Sequence, residues 1–559
     1  MGHDAAELAE LLAELIPAEE FCAQRKTSPD DLRILVTEVG HLEFPVSPRQ
    51  ARHLCLIGRP ARFGQGEQTL TDTRVRDTWE IPKSRVKIDW NRTLRPHLAA
   101  LAADLGLPEK SALRAEFHSM LVYSPGQFFV PHQDSEKHDA MIGTLVVTLP
   151  SAFKGGELEI EHAGRTVKYG SPGTSLSLVA FYADCRHQVR PVTSGYRITL
   201  TYNLIVQNEP AIPAAPGGSN TDELASLLEG HFEEQTRLVY LLDHQYTERG
   251  LSWSRLKGSD APRAALLRAA AEAADAECAL ALADVCESWS AYPEGWDRPR
   301  YGRYEYWDED DGESEAENYE LQDLIESTTT LTCWVEAPGS APEPIGLVIP
   351  GTEICASTPN EDLTPDSQEY EGYMGNYGNT LDRWYRRAAL MVWPRDLSFA
   401  MHAEASPSWA LDRLAGTAEP HVAQRMAESV MPFWGKVVSG AQRGGLIGKA
   451  LAAASSVAEP RVAASLLEPF LIELLEPADS AALARLSAQY GEPWIAALIA
   501  GWVARGYYAL PMASGVRTGS RTCHCCAKRS RRQDPMAARP GECSWRVCGH
   551  GSGSESSPP

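Results

Sequence analysis

FFVPHQDSEK, residues 128–137, is the stretch on which the reading of this chain turns. An aromatic and apolar run delivers His132 and Asp134 at the end of an expected strand, and in extended backbone residues i and i+2 point to one face. Both side chains can then reach a single metal ion, with Gln133 turned away. By itself a His-x-Asp says little, since a chain with fifteen histidines would hold about one such pair by chance. The flanks strengthen it. HSMLVYSPGQFFVPHQD starts apolar and β-branched, turns at Pro-Gly, and re-enters an apolar run just before the pair.

Downstream, MIGTLVVTLP, ELEIEHAGRTVKYG, SPGTSLSLVAFYADC and GYRITLTYNLIVQ are short runs rich in Val, Thr, Leu and Ile, punctuated by Gly and Pro. They predict an antiparallel barrel or jelly roll whose mouth can host a ligand. Such a fold gathers the ends of distant strands, so His187 in CRHQVRP can return to the same metal from fifty-three residues beyond Asp134. Two imidazoles and one carboxylate leave three coordination positions open on a ferrous ion. Arg197, ten residues further on, shares its parity with Thr199 and Thr201, opposite the apolar Ile198 and Leu200. Its guanidinium suits a two-pronged grip on a carboxylate. Taken singly, each of these residues has an ordinary explanation: a core or surface histidine, a turn aspartate, a strand salt bridge. Order, spacing and flanks together favour the metal reading. His138 and His162 show no partner spacing and are expected at the surface, and Gly155 and Gly156 are expected as turn residues.

The segment from about Tyr123 to Asn203 resembles the double-stranded β-helix domain of the iron(II) and 2-oxoglutarate-dependent oxygenases, specifically their prolyl 4-hydroxylase-like branch. Tyr123 opens YSPGQ, similar to that branch's Tyr-x-x-Gly-Gln; FKGGEL resembles its Gly-Gly-Glu turn; HQVRPVTSGYR resembles its distal His, Pro-Val, Gly and basic-residue run. One departure stands out. Collagen-type prolyl hydroxylases carry Lys where this chain has Arg197, which loosens the link to proline while leaving the co-substrate intact. The resemblance implies Fe2+ held by His132, Asp134 and His187, and 2-oxoglutarate chelated there with its far carboxylate on Arg197 and Tyr123. It also implies O2 as co-substrate and succinate and CO2 as products, with ascorbate a candidate accessory reductant. A substrate C–H bond would be hydroxylated, on a protein or peptide side chain with proline the first choice by analogy. The alternatives are the same chemistry on a small molecule, and a catalytically idle binding or scaffold barrel.

Composition bounds the remainder. The 559 residues are 43% apolar and 23% charged, as in ordinary globular proteins. No stretch approaches eighteen apolar residues, so no membrane span is expected, and the acidic start MGHDAAELAELLAELIP lacks an export or myristoylation signature. We expect a cytoplasmic protein with reduced thiols at Cys22, Cys55, Cys185, Cys278, Cys286, Cys333 and Cys355. A net charge of −23 argues against nucleic acid as a partner. RDTWEIPKSRVKIDWNRTLRP, residues 76–96, is locally basic and reads as a solvated face; Arg74 and Arg76 are candidate substrate contacts.

The expected fold class is α+β and multidomain: a double-stranded β-helix with supporting helices, then a mixed α/β region, then a mainly helical region. The boundaries read as an N-terminal helix over 1–30, the oxygenase domain over 31–207, a Pro, Ala and Gly-rich linker over 208–222, a mixed region over 223–400, helices over 401–512 and a tail over 513–559. Within these, residues 98–118 predict a helix backing the sheet, and residues 222–289 read as helical. Residues 305–320 hold nine acids and no base and predict an exposed loop. The aromatic and Gly-rich residues 373–387 read as a packing seam. Glu-Pro recurs through the helical region, where Pro suits a first turn. The tail carries five cysteines; Cys523, Cys526, Cys543, Cys548 and His550 would suit tetrahedral zinc, but the second pair is loosely spaced and zinc is not expected there.

Overall fold

A computed structural model describes residues 3–16, 20–65, 68–108, 111–134, 140–207, 218–293, 319–336, 343–372, 378–438 and 443–509. His138, Tyr373, Gly375, Asn376, residues 305–318 and the cysteine-bearing tail lie outside these. Among the described residues, no helix is long and apolar enough to cross a membrane.

Two antiparallel sheets form the first half. The larger runs in the order Cys22–Thr27, Leu176–Tyr182, Met141–Thr148, Arg197–Val206, Leu113–Tyr123, Trp79–Pro82 and Arg59–Pro60. The smaller runs Arg165–Tyr169, Leu158–His162, Arg186–Val189, Phe128–His132 and Arg76–Asp77. Both send their apolar rows into one core that includes Phe129, Leu158, Ile160, Phe181 and Val189. Ile198 and Leu200, on the other row of the Arg197–Val206 strand, are buried too, in the same cluster as Leu54, Leu98 and Leu101 from the helices Pro48–Ile57 and Asn91–Asp104. At about 1.5–3 kcal/mol per fully buried Leu or Ile, that row fixes which face of the strand turns to the helices. Ser47 caps the first of these helices, accepting a hydrogen bond from the Gln50 amide at 3.3 Å, with Pro48 in its first turn.

Several expectations are corrected. The backing helix is Asn91–Asp104, and residues 113–123 form a strand that pairs with Arg197–Val206; alternation in LRAEFHSMLVY outweighs its helical composition. The basic stretch 76–96 is not simply a solvated face, because Trp90 is buried in the core and Trp79 packs against it. The first thirty residues are not one helix. His3–Leu15 is helical, and its Ala5, Leu8 and Leu12 pack with Leu224 and Leu228, far along the chain, while Cys22–Thr27 is the edge strand of the larger sheet.

The region read as helical over 222–289 is mixed. Ser219–Glu234 and Asp260–Ala273 are helices, but Leu238–Leu241 and the eighteen-residue Ala276–Pro293 are strands. They belong to a further sheet ordered Glu343–Ile349, Tyr319–Val335, Ala276–Pro293, Thr380–Pro394, Leu238–Leu241 and Ile354–Ala356. Both faces are covered. Leu238, Tyr240, Leu280 and Leu390 join one core beneath the helices, and Val239, Ala279, Ala281, Ala283 and Met391 join another. A strand buried on both sides loses its alternation, so an Ala- and Leu-rich run reads as helix. Arg387 and Tyr385, from the stretch read as a seam, are buried; the Arg387 guanidinium donates to the Leu242 and Thr358 carbonyls and to Asn360. From Ser398 to Ala509 the described chain is mainly helical and packs around a third core; two of its helices, Pro420–Val437 and Pro460–Leu467, start at the Glu-Pro pairs with Pro in the first turn.

Candidate metal centre

His132 ends the strand Phe128–His132, and its cross-strand partner on Arg186–Val189 is His187. Asp134 lies two residues past the strand end. One ligand-type atom from each of His132, Asp134 and His187 lies within 4.8 Å of the others. The ring centroids of the two histidines are 4.1 Å apart, and His187 Nε2 is 3.8 Å from Asp134 Oδ2. Each histidine is oriented by its own strand: His132 Nδ1 donates to the Val130 carbonyl at 2.9 Å and His187 Nδ1 to the Cys185 carbonyl at 3.2 Å. A carbonyl can only accept, so Nδ1 carries the proton and Nε2 keeps its lone pair toward the trio.

Apolar packing completes the pocket. Phe129 stacks on His132 with centroids 3.5 Å apart, and Phe181 lies 4.6 Å from His187. Burial, reinforced by the neighbouring His187, pushes the His132 imidazole down to about 3 despite the opposing Asp134 carboxylate. His132 is therefore neutral at neutral pH, the form a metal ligand requires. Asp134 Oδ2 accepts from Thr144 Oγ1 at 2.5 Å, across from the larger sheet.

Thr144 also locates Arg197. It pairs with Asn203 and Thr148 pairs with Thr199, so Thr144, Thr199, Thr201 and Arg197 share one face of the larger sheet, the face that touches Asp134. Arg197 pairs with Tyr123, and its guanidinium lies over that ring at 5.3 Å. It is 2% exposed, and among the described residues no group accepts a hydrogen bond from it. Burial lowers its pKa from the ordinary value, yet a guanidinium stays charged at working pH. Gly156, at φ +67, makes room for it: a Cβ there would lie 3.1 Å from Arg197 Cδ. The FKGGEL turn is thus more than a turn. A buried cation without an acceptor fits the far carboxylate of a dicarboxylic co-substrate, and two imidazoles with a carboxylate fit ferrous iron.

Of the residues singled out from the sequence, His132, Asp134 and His187 come together, and Arg197 and Tyr123 pair with each other on the sheet face that touches Asp134. Arg74 does not; it is exposed and ion-paired with Asp72. Arg76 comes nearer, with its guanidinium 4.5 Å over the Phe129 ring that stacks on His132. Sequence reading missed Thr144 and Phe129, which carry no spacing signal toward the histidines. It also misplaced His162. That residue is not at the surface: His162, Asp184 and His244 form a second buried trio, with His162 and His244 stacked at 4.3 Å. His244 arrives from the second sheet region, so no local pattern could announce the pair.

The family profile of the 2OG-Fe(II) oxygenase superfamily matches residues 118–205. Among solved structures, the chain is similar to an oxidoreductase of the 2OG-Fe(II) oxygenase family from Burkholderia pseudomallei, at 16% identity, covering 36% of this chain and 92% of that one, with a TM-score of 0.22. It is similar to a prolyl-4-hydroxylase from Pseudomonas putida at 16% identity, covering 36% and 100%, TM-score 0.21. A prolyl hydroxylase from Trichoplax adhaerens, in complex with a peptide fragment of the hypoxia inducible factor oxygen degradation domain, aligns at 15% identity over 36% and 90%, TM-score 0.24. No curated protein matches the chain. The match over residues 118–205, which contain the His132, Asp134 and His187 trio, marks that segment as a 2OG-Fe(II) oxygenase domain, the signature of an oxidoreductase of the dioxygenase class.

Proposed function

We propose that His132, Asp134 and His187 hold Fe2+, that Arg197 grips the far carboxylate of 2-oxoglutarate beside Tyr123, and that the chain hydroxylates a C–H bond of a protein or peptide side chain. The observation that carries this reading is the convergence of three ligand atoms within 4.8 Å, two of them on imidazoles whose Nδ1 protons are already committed to backbone carbonyls. When bound, the iron supplies the oxidising chemistry, consuming O2 and 2-oxoglutarate. The protein's own part is placement. Thr144 holds the Asp134 carboxylate, the Val130 and Cys185 carbonyls fix the two imidazole planes, and Phe129 and Phe181 exclude water from the ring faces. Arg197 offers a charge-assisted anchor that needs no proton transfer.

The YSPGQ, FKGGEL and HQVRPVTSGYR segments support a peptide side chain as substrate, by resemblance to the prolyl 4-hydroxylase-like branch. We also read the strand Cys22–Thr27 together with residues 31–207 as the oxygenase domain, 208–218 as a linker, 219–400 as a mixed α+β domain and 401–512 as a helical one.

Incubating iron-loaded protein with 2-oxoglutarate and candidate peptides tests this. Succinate should form in step with a peptide mass gain of one oxygen atom. Succinate without any modified peptide would point to a small-molecule substrate, and no succinate under any condition would sink the enzyme reading.

A further inference from the structure

The turn at Asp184 joins the Leu176–Tyr182 strand of the larger sheet to the Arg186–Val189 strand of the smaller one, three residues before His187. It touches the metal trio twice. The Cys185 carbonyl accepts from His187 Nδ1, and the Asp184 carbonyl accepts from Gln133 Nε2 at 2.7 Å, where Gln133 is the residue between His132 and Asp134. Both segments that deliver the trio therefore rest on two consecutive carbonyls of this turn.

What holds the turn comes mostly from elsewhere. Lys257 Nζ lies 3.2 Å from Asp184 Oδ1, while His244 Nδ1 and the Gln245 amide reach Oδ2 at 2.9 and 3.1 Å. The Lys257 ammonium also donates to the Gln245 carbonyl at 2.8 Å. The side chains of Asp184, His244 and Lys257 are all 4–5% exposed. Beside them the Gly258 amide donates to Tyr182 Oη at 3.0 Å, and a Cβ at Gly258 would lie 2.9 Å from His244 Nε2. The loop carrying Lys257 is thus packed tightly onto the turn. Of the side chains against the Asp184 carboxylate, His162 comes from the barrel, at 3.4 Å.

This trio offers a metal ion little room, because the ammonium of Lys257 already stands against its one carboxylate. Its use is mechanical. We propose that Lys257 and His244 are positioning residues for the metal centre: by clamping the Asp184 carboxylate they fix the two carbonyls that orient His187 and Gln133, so the region beyond the barrel is a working part of the iron site. The proposal rests on the reading of His132, Asp134 and His187 as ligands.

The test uses the full chain and Co2+ as the probe, read by its ligand-field absorption and by calorimetric titration, with circular dichroism to establish folding. Lys257→Met keeps the apolar stem and removes the charge. It should fold, bind Co2+ about 10–100-fold more weakly, the range for groups that orient metal ligands, and show a changed ligand-field spectrum. Lys257→Arg should recover part of both. Wild-type Co2+ affinity and spectrum in Lys257→Met, alongside lost binding in His187→Ala, would overturn the positioning role and leave the ligand reading standing. Wild-type binding in His187→Ala would overturn the ligand reading and this proposal with it. If Lys257→Met does not fold, Asp184→Asn, which keeps the side-chain shape, decides between the same outcomes.

Discussion

Two trios of His, Asp and His lie three residues apart along one turn, at Asp184 and His187, and they have opposite electrostatics. In the first, burial and a neighbouring imidazole hold His132 neutral. In the second, burial also opposes charge on His244, but the Asp184 carboxylate outweighs it and raises the imidazole above its ordinary value. Asp184 itself, though burial opposes its ionisation, is held well below the carboxylate range by Lys257 and His244. The same three residue types therefore leave a candidate ligand set in one place and an ion-paired cluster in the other. The difference is one lysine. A resident ammonium satisfies the carboxylate that a metal ion would otherwise claim.

The comparison can be broken, and the largest expected effect is at the first trio. His132→Ala, Asp134→Ala and His187→Ala should each abolish succinate formation while leaving the circular dichroism spectrum intact; wild-type turnover in any of them would remove that residue from the ligand set. Asp184→Ala should add a stability lesion to the weakened metal binding expected of Lys257→Met. It strands a buried ammonium, which costs about 3–5 kcal/mol of unfolding free energy in a urea titration. An unchanged urea midpoint would mean that the second trio clamps nothing.

Arg197→Ala should raise the KM for 2-oxoglutarate about 10–100-fold, the worth of about 1.5–3 kcal/mol for a hydrogen bond to a charged group, with a smaller change in kcat. Arg197→Lys should keep part of the affinity as a point charge. A pH series sharpens the contrast further. Because the folded pKa of His244 is raised, its contribution is fully present below about 6.5 and is lost as pH rises through the folded value. Asp184 has a depressed folded pKa, so its contribution is present above about 3.8 and is lost as pH falls through the folded value. Subtracting the melting temperatures of His244→Gln from those of wild type should give a difference largest between these limits, and a flat difference would contradict the ion pairing. The smallest effect belongs to Arg74→Ala, whose exposed pair with Asp72 should leave melting temperature and turnover where they were.

Legibility followed the range of the signal. His132 and Asp134 were readable because strand parity acts over two residues, and His187 and Arg197 because a barrel gathers strand ends in a known order. The Glu-Pro helix starts were readable because capping is local. Thr144 was not, since its reach to Asp134 depends on how the two sheets face each other. The strands at Leu238–Leu241 and Ala276–Pro293 were misread because burial on both faces erases alternation. His162 looked unpartnered, as its partners stand twenty-two and eighty-two residues away in sequence.

Sequence alone determined the chemistry on offer: which side chains could bind a metal and a dicarboxylate, and the extended backbone that presents them, because both depend on residue type and nearest-neighbour geometry. Tertiary structure decided that His132 stays neutral and that His244 is ion-paired, since a pKa answers to burial and to charges brought in from distant segments. It also decided that residues around His244 and Lys257 bear on a turn of the barrel, a contact that no spacing along the chain encodes.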